Sequence, residues 1–324
     1  METTSPAAVG LQPIEAGQIV TVRVPATTAN LGPGYDSLGL ALALHDTLTV
    51  ESLETDELLF ELRGEGAESL PRDASHLVIR AMEAAFERLG FRHGGLKVTA
   101  DNVNPHGRGL GSSASAVVAA VSAANAMVPE AHRRGRDWIL QLTSEIEGHP
   151  DNVAPAIFGG LALSWQDSDQ YSSTSATVAD SVIPVVAVPD YELSTEAARA
   201  LLPASVGHHV AAMNAGRAAL LIHALTHKPE FLLAGTEDYL HQSYRAEAMR
   251  PSAALIGALR AAGHAAVVSG AGPTVLVLAN GEAEAAAAVA FIGQFTAANT
   301  PDIAWRVLKL AVDVEGAKVE LHRR

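Results

Sequence analysis

Chemistry is written most densely between Asn104 and Ser115, which read Asn-Pro-His-Gly-Arg-Gly-Leu-Gly-Ser-Ser-Ala-Ser and run into the apolar stretch Ala116–Val128. Gly107, Gly109 and Gly111 lie within five residues, which lets the backbone turn with positive φ and approach a ligand closely. Ser112 and Ser113 stand where a helix would begin. Free N–H groups of that first turn and the positive end of the helix dipole would then face whatever lies over Gly109–Ser113, and polyphosphate is the guest that suits them. No Gly-Lys-Ser/Thr follows, so this is not a Walker loop. The alternative is an ordinary glycine turn capped by Ser112.

A second concentration packs Glu145, Glu147, His149, Asp151 and Asn152 into eight positions. A helix running to Glu147 and ended by Gly148 and Pro150 puts Ser144 and Glu147 one turn apart; the alternative is an acidic helix end and a solvated turn. Three further stretches carry polar groups at unusual density. Pro25–Asp36 holds Asn30 and Asp36 among Gly, Pro and Thr, where either residue could instead cap a turn. Leu193–Arg199 opens like a capping box, with Thr195 and Arg199 on one helical face. Near the end, His241-Gln242-Ser243-Tyr244-Arg245 precedes a tight Gly270-Ala271-Gly272-Pro273 loop.

The whole chain limits the guests these groups can serve. Its 324 residues suggest two domains, and 48% hydrophobic content is ample for their cores. A formal charge of -14, from 22 Lys+Arg against 36 Asp+Glu, with no basic tract beyond Arg133-Arg134-Gly135-Arg136, makes nucleic acid and anionic membrane poor partners. An anionic ligand must be met by locally gathered cations. The absence of cysteine excludes disulfides, zinc–thiolate sites and thiol nucleophiles. Among the 13 histidines, adjacent His208 and His209 would point apart, and His223 with His227 lack the glutamate of a zinc helix, so no histidine metal site is expected. No leader pattern opens the chain, Met1–Gln18 reads as a mobile polar start, and the longest apolar runs, Ala114–Val128 and Ala265–Ala279, are short or broken. A soluble cytoplasmic protein without a 20- to 50-residue repeat is expected.

Elements that would position the polar groups follow from periodicity. Strands are predicted at Ile19–Val24, Leu38–Val50 with an interruption at His45-Asp46, Leu58–Leu62 and Gly95–Ala100. Pro25–Asp36 reads as a loop. Helices are predicted at Ser75–Leu89, ended by Gly90, and from the cradle to Pro129. The polar tract Gln166–Asp180 reads as a surface hairpin or linker, which puts a boundary near residue 181 between domains 1–180 and 181–324. Beyond it come a strand at Val182–Val188, helices at Val210–His227 and Pro229–Tyr239, paired strands at Ala265–Ser269 and Thr274–Ala279, and closing strands at Leu308–Val314 and Lys318–Leu321.

Taken together, these stretches resemble the GHMP small-molecule kinases. The cradle matches P-x-x-x-G-L-G-S-S, Glu147–Ala156 matches E-G-H-P-D-N-V-A-P-A without a mismatch, and Gly270–Pro273 sits in the third signature. Within that group, Pro25–Asp36, Ser194–Pro203 and His241–Arg245 resemble the homoserine kinases. The resemblance implies an α+β fold of two domains, an N-terminal half like ribosomal protein S5 domain 2 and a ferredoxin-like C-terminal half. It assigns ATP to Pro105, His106, Gly107, Arg108, Gly109, Leu110, Gly111, Ser112, Ser113, Ala114 and Ser115, with Ser75 and His76 at the adenine end. Mg2+ falls to Glu147 with a hydroxyl of Ser112 or Ser113. The implied substrate pocket comprises Asn30, Asp36 accepting from an ammonium group, His149, Asn152, Thr195, Arg199, Arg245 gripping a carboxylate, and Gly270. Asn152, Arg199 and Glu147 are the implied catalytic set.

The implied activity is phosphorylation of L-homoserine by ATP. Related kinases place an aspartate where Asn152 stands, and asparagine cannot accept a proton, so the alcohol is expected to attack without a carboxylate base. A kinase of the same fold acting on mevalonate or a sugar, and a nucleotide sensor that has lost catalysis, are the alternatives. A homodimer is compatible with the resemblance.

Overall fold

The computed structural model describes residues 10–323. Two sheets organise them. The first has seven strands, in the order Lys318–Arg323, Gln18–Ala29, Leu38–Leu53, Gly95–Asn102 and Leu58–Gly64, with the hairpin Leu161–Asp167 and Gln170–Ala176 attached to Leu38–Leu53. Within this sheet, among the described residues, only Leu58–Gly64 and Gly95–Asn102 pair in parallel. Val20, Val22 and Val24 point inward while Arg23 is exposed, the period-two pattern of a sheet covered on one face. That cover consists of helices Leu77–Leu89, Ser112–Met127, Arg136–Glu147 and Val153–Phe158. Ser112–Met127 is buried almost all round, which explains its small alanine-rich side chains.

The second sheet runs Ala266–Val268, Val275–Asn280, Val182–Pro189 and Trp305–Lys309, all antiparallel. Helices Arg250–Ala261 and Glu282–Asn299 fill one face around Val185, Val277 and Ile292. The other face shares a core with the first lobe, in which Leu31, Leu42 and Leu110 pack with Val186, Leu276 and Leu221 of helix His208–Thr226. The cradle therefore starts from a buried seam between lobes. Among the described residues no helix is long and apolar enough to cross a membrane.

Several expectations shift. Pro25–Ala29, read as loop, continues the strand from Gln18, with a register change between Pro25 and Ala26; the ladder of Leu38–Leu53 satisfies a backbone that composition alone marked irregular, and the bulge accommodates proline. Of the two readings of Gln166–Asp180, hairpin or linker, the structure has the hairpin, whose return strand makes up much of the tract. Pro229–Tyr239 is no single helix: a 3-10 turn and the short Leu232–Gly235 precede a turn in which the Asp238 carboxylate accepts from the N–H groups of Leu240, His241 and Gln242. The expected closing strand Leu308–Val314 lies instead at Trp305–Lys309, and Lys318–Arg323 returns to the first sheet beside Gln18–Ala29. Residues 1–9 of the expected mobile start lie outside the described residues; Gln12–Pro13 pairs with Phe91–Arg92, and Gln18 Nε2 donates to the Met127 carbonyl at 3.0 Å.

Candidate active site

Gly107, Gly109 and Gly111 adopt φ of 63°, 77° and 68°. At two of them space also demands glycine: a Cβ would lie 2.2 Å from the Ser269 carbonyl oxygen at Gly109 and 2.0 Å from Thr27 Oγ1 at Gly111. Gly111 is itself the N-cap and no side chain caps the helix, so the reading of a turn capped by Ser112 fails. First-turn N–H groups are left without intrahelical partners. The loop is held from below, where Asn104 Nδ2 and Thr27 N both donate to the Leu110 carbonyl, at 2.8 and 3.0 Å.

Glu147 ends helix Arg136–Glu147, which Gly148 closes at φ 82°. Ser113 Oγ donates to Glu147 Oε1 at 2.6 Å, joining the cradle to the acidic cluster. Burial pushes the Glu147 carboxyl up, more than the Ser113 hydrogen bond lowers it. His149 Nδ1 lies 2.5 Å from Asp151 Oδ1. Burial disfavours its imidazolium, but the hydrogen bond and charge of buried Asp151 outweigh this and hold the ring above the ordinary histidine range. Asn152 Oδ1 accepts from Thr27 Oγ1 at 2.8 Å, while its amino group has a long 3.4 Å contact with Asp151.

On the opposite wall Asp36 and Arg199 form a bidentate pair at 3.0 and 2.7 Å, and Arg199 also donates to Tyr35 Oη at 3.0 Å. Asp36 sits at φ 55° and Asn30 at φ 68°. Asn30 links this loop to the glycine turn: Nδ2 donates to the Gly270 carbonyl at 2.8 Å and Oδ1 accepts from Asp36 N at 3.0 Å. Arg245 is 1% exposed. Its Nε donates to the Ala198 carbonyl and its guanidinium lies over the Tyr35 ring, 5.4 Å from the centroid. Among the described residues no carboxylate lies within ion-pair distance of Arg245. A buried guanidinium held by carbonyls and an aromatic face suits an incoming anion.

Of these groups Asn30, Asp36, Ser113, Glu147, His149, Asp151, Asn152, Arg199 and Arg245 line one cleft of about 160 Å³, together with Pro105, Gly107, Arg108, Gly109, Gly111, Ser112, Ala114, Thr195 and Gly270. A neighbouring slot of about 180 Å³ shares Gly107, Ser112 and Ser113 with it and is walled by Leu48, Leu70, Leu77, Ala116 and Ala119, with His76, His106 and Ser115 at its edges. A polar cleft joined to an apolar slot across a glycine cradle is shaped for phosphates on one side and a flat base on the other. His76 Nδ1 accepts from Val78 N, and burial pushes the imidazole pKa down. A wider groove of about 640 Å³ between Phe158–Gly160 and Leu310–Val312 holds no comparable set of groups.

Two expected contacts, Ser75 and Leu110, are not brought to this site, and two others, Arg108 and Ser115, border it with their side chains tied elsewhere. Ser75 lines neither space: its exposed hydroxyl donates to Asp73 Oδ1 at 2.6 Å in the turn before the helix. Leu110 is fully buried in the inter-lobe core. The guanidinium of Arg108 turns to the second lobe, donating to the carbonyls of Pro189 and Asp190 and to Glu192. Ser115 Oγ donates to the Pro25 carbonyl at 3.0 Å. Conversely, Thr27 and Tyr35 in the Pro25–Asp36 string, Asp151 in the acidic cluster and His241 in the His241–Arg245 stretch make contacts for which their spacing assigns no role; polar density is the signal that marks those stretches.

Residues 76–160 match the model of the GHMP kinases N terminal domain, and residues 212–298 that of the GHMP kinases C terminal region. The chain is 50% identical over 301 residues to a homoserine kinase of Streptomyces avermitilis, covering 93% of this chain and 95% of that protein. Homoserine kinase of Clavibacter michiganensis is 46% identical, over 95% and 96% of the two chains. Among solved structures, homoserine kinase from Cytophaga hutchinsonii superposes with a TM-score of 0.83 at 25% identity, covering 93% of this chain and 97% of that one. Mevalonate diphosphate decarboxylase from Staphylococcus aureus shares the fold, with a TM-score of 0.66 at 14% identity, over 94% and 98% of the chains.

Proposed function

Because the chain belongs to the GHMP kinases and, among them, to the homoserine kinases, we propose that it phosphorylates its alcohol substrate by direct attack, without a carboxylate base. The reaction is phosphorylation of L-homoserine to O-phospho-L-homoserine by ATP, a step of threonine biosynthesis. One observation carries the base-free reading. Thr27 Oγ1 donates to the amide oxygen of Asn152 and so fixes this side chain at the cleft, and a neutral amide has no basic site to take up the hydroxyl proton.

In this reading the N–H groups of Gly109–Ser113 hold the β- and γ-phosphates, and the apolar slot takes the adenine. Asp36 accepts from the substrate ammonium group and Arg245 binds its carboxylate, which sets the hydroxyl toward Asn152 and Arg199. The hydroxyl oxygen forms the new P–O bond as the bond from the γ-phosphorus to the β–γ bridging oxygen breaks. ADP leaves, and the hydroxyl proton passes to a phosphoryl oxygen or to water. A loose transition state tolerates this, because little charge develops on the nucleophile before transfer.

The residues beside the cradle fit a magnesium ion. Glu147 is a carboxylate whose ionised form is disfavoured by burial, it lies 2.6 Å from a cradle hydroxyl, and Mg2+ needs few protein ligands beside phosphate and water. Glu147 with Ser112 or Ser113 would hold it, and when bound it would neutralise phosphate charge.

Asn152→Asp tests the mechanism. It keeps the volume but sets an anion beside the γ-phosphate, and activity is expected to fall by about a hundredfold or more. A faster variant, in steady-state assays of ADP release with homoserine, would mean that a base was the missing element. The same assay with mevalonate, galactose, serine and threonine is expected to give little release above background.

A further inference from the structure

A kinase for a small amino acid must hold two opposite charges of its substrate at a set spacing, and here those two charges meet side chains from different parts of the fold. Asp36 lies on the loop Asn30–Asp36, whereas Arg245 lies on the short helix Gln242–Arg245 of the second lobe. One fully buried side chain touches both. His241 Nε2 is 2.9 Å from the Gly32 carbonyl oxygen, and His241 Nδ1 is 3.1 Å from a terminal nitrogen of Arg245.

An arginine cannot accept a hydrogen bond, so Nδ1 must be the acceptor; Nε2 then carries the proton and donates it to Gly32. The loop thereby fixes the tautomer that presents a lone pair to the guanidinium. Asp238, 3.6 Å from Nε2, is already engaged by three backbone N–H groups and does not compete at hydrogen-bond distance. The Tyr35 ring packs 5.3 Å from the imidazole and lies beneath the guanidinium of Arg245, closing the space in which it could swing.

We propose that His241 is a positioning residue for carboxylate recognition: it orients Arg245 from the loop that bears Asp36, and so sets the spacing between the two charges that hold the substrate. This rests on the reading of Arg245 as the carboxylate grip and Asp36 as the ammonium acceptor. His241 does not itself line the cleft, so its effect passes through Arg245.

Two substitutions separate the two hydrogen bonds. A glutamine reaches the Nε2 position and can still donate to Gly32 but leaves no acceptor at Nδ1; an asparagine keeps an acceptor near Nδ1 but falls short of Gly32. His241→Gln is expected to raise the KM for homoserine about tenfold, the loss of a hydrogen bond to a charged group, with kcat and the KM for ATP within about twofold of the parent. His241→Asn is expected to stay close to the parent in the KM for homoserine. The preference for homoserine over 3-amino-1-propanol, which lacks the carboxylate, should fall with His241→Gln and fall further with Arg245→Leu.

The opposite ordering, in which glutamine is silent and asparagine impairs, would overturn the proposal in favour of loop anchoring alone. So would equal losses on both substrates in a glutamine variant whose melting temperature is lowered. If Arg245→Leu leaves the preference intact, the reading of Arg245 fails instead, and the two failures are told apart.

Discussion

Among single side chains, Glu147 joins function and stability with opposite signs. Its carboxyl is pushed up by burial, so its contribution to folding is fully present below the unfolded carboxyl pKa of about 4.3 and is lost as pH rises through the higher folded value. At neutral pH the ionised group therefore weighs against the free protein. Glu147→Gln is expected to melt at or above the parent temperature at pH 7 while kcat falls by about a hundredfold or more, because a neutral amide is a poor ligand for a hard cation. Calorimetry beside turnover checks both signs. Thr27 makes a subtler test: Thr27→Val keeps the shape, removes the hydroxyl 2.8 Å from Asn152 Oδ1, and frees the amide to rotate. A fall in kcat of about tenfold with an unchanged KM for ATP is expected from the loss of that one bond. Parent kcat would show that Asn152 needs no such anchor. Nothing in the sequence singles out Thr27, because a threonine in a strand looks like any β-branched residue until its partner across 125 positions is seen.

Where segments are concerned, the cradle and its helix show how local rules and tertiary contacts divide the work. Positive φ at Gly107, Gly109 and Gly111 was legible from composition, as were the left-handed stops at Gly90 and Gly148. What stands over each glycine was not. Gly111→Ala adds one methyl group where φ is 68° and Thr27 Oγ1 is 2.0 Å away, so the loop must shift to accept it. ATP affinity measured by titration calorimetry is expected to fall by about tenfold or more, since a shift of the loop turns its N–H groups off the phosphates. Undiminished affinity would mean that the loop does not bind nucleotide. Pro25–Ala29 is the converse case: Pro, Thr and Ala argued for a loop, but pairing with Leu38–Leu53 draws it into the sheet, and only there does Thr27 come beneath the cradle.

Across the molecule, the two lobes are stitched by the segment between Trp305–Lys309 in the second sheet and Lys318–Arg323 in the first. Asp313 fastens it: Oδ1 accepts from the N–H groups of Gly316 and Glu315 at 2.7 and 3.0 Å, and Oδ2 lies 2.7 Å from His45 Nε2. Burial alone would raise its pKa, but these hydrogen bonds, that of Gly316 foremost, bring it below the ordinary aspartate range. A depressed carboxyl contributes stability above its unfolded pKa of about 3.9 and loses it as pH falls through the folded value. Asp313→Ala should therefore unfold with about 1–3 kcal/mol less stability at pH 7, the gap narrowing on acidification below about pH 4, with kcat/KM near the parent. A gap that persists in acid would assign the loss to packing instead.

By itself the sequence determined the family, the glycine cradle, the acidic cluster and most helices and strands, because each rests on contacts between residues near in the chain: φ at a glycine, a cap, an apolar rhythm. Only the tertiary structure decided which polar groups face the cleft. Arg108 and Leu110 lie within three residues of the cradle's middle glycine, yet one turns to Glu192 and the other into the inter-lobe core. Tyr35 and His241 meet at 5.3 Å across some two hundred residues. The physical reason is that a side chain's direction follows from local backbone geometry, whereas its partner is set by how two sheets pack, and no spacing along the chain records that distance.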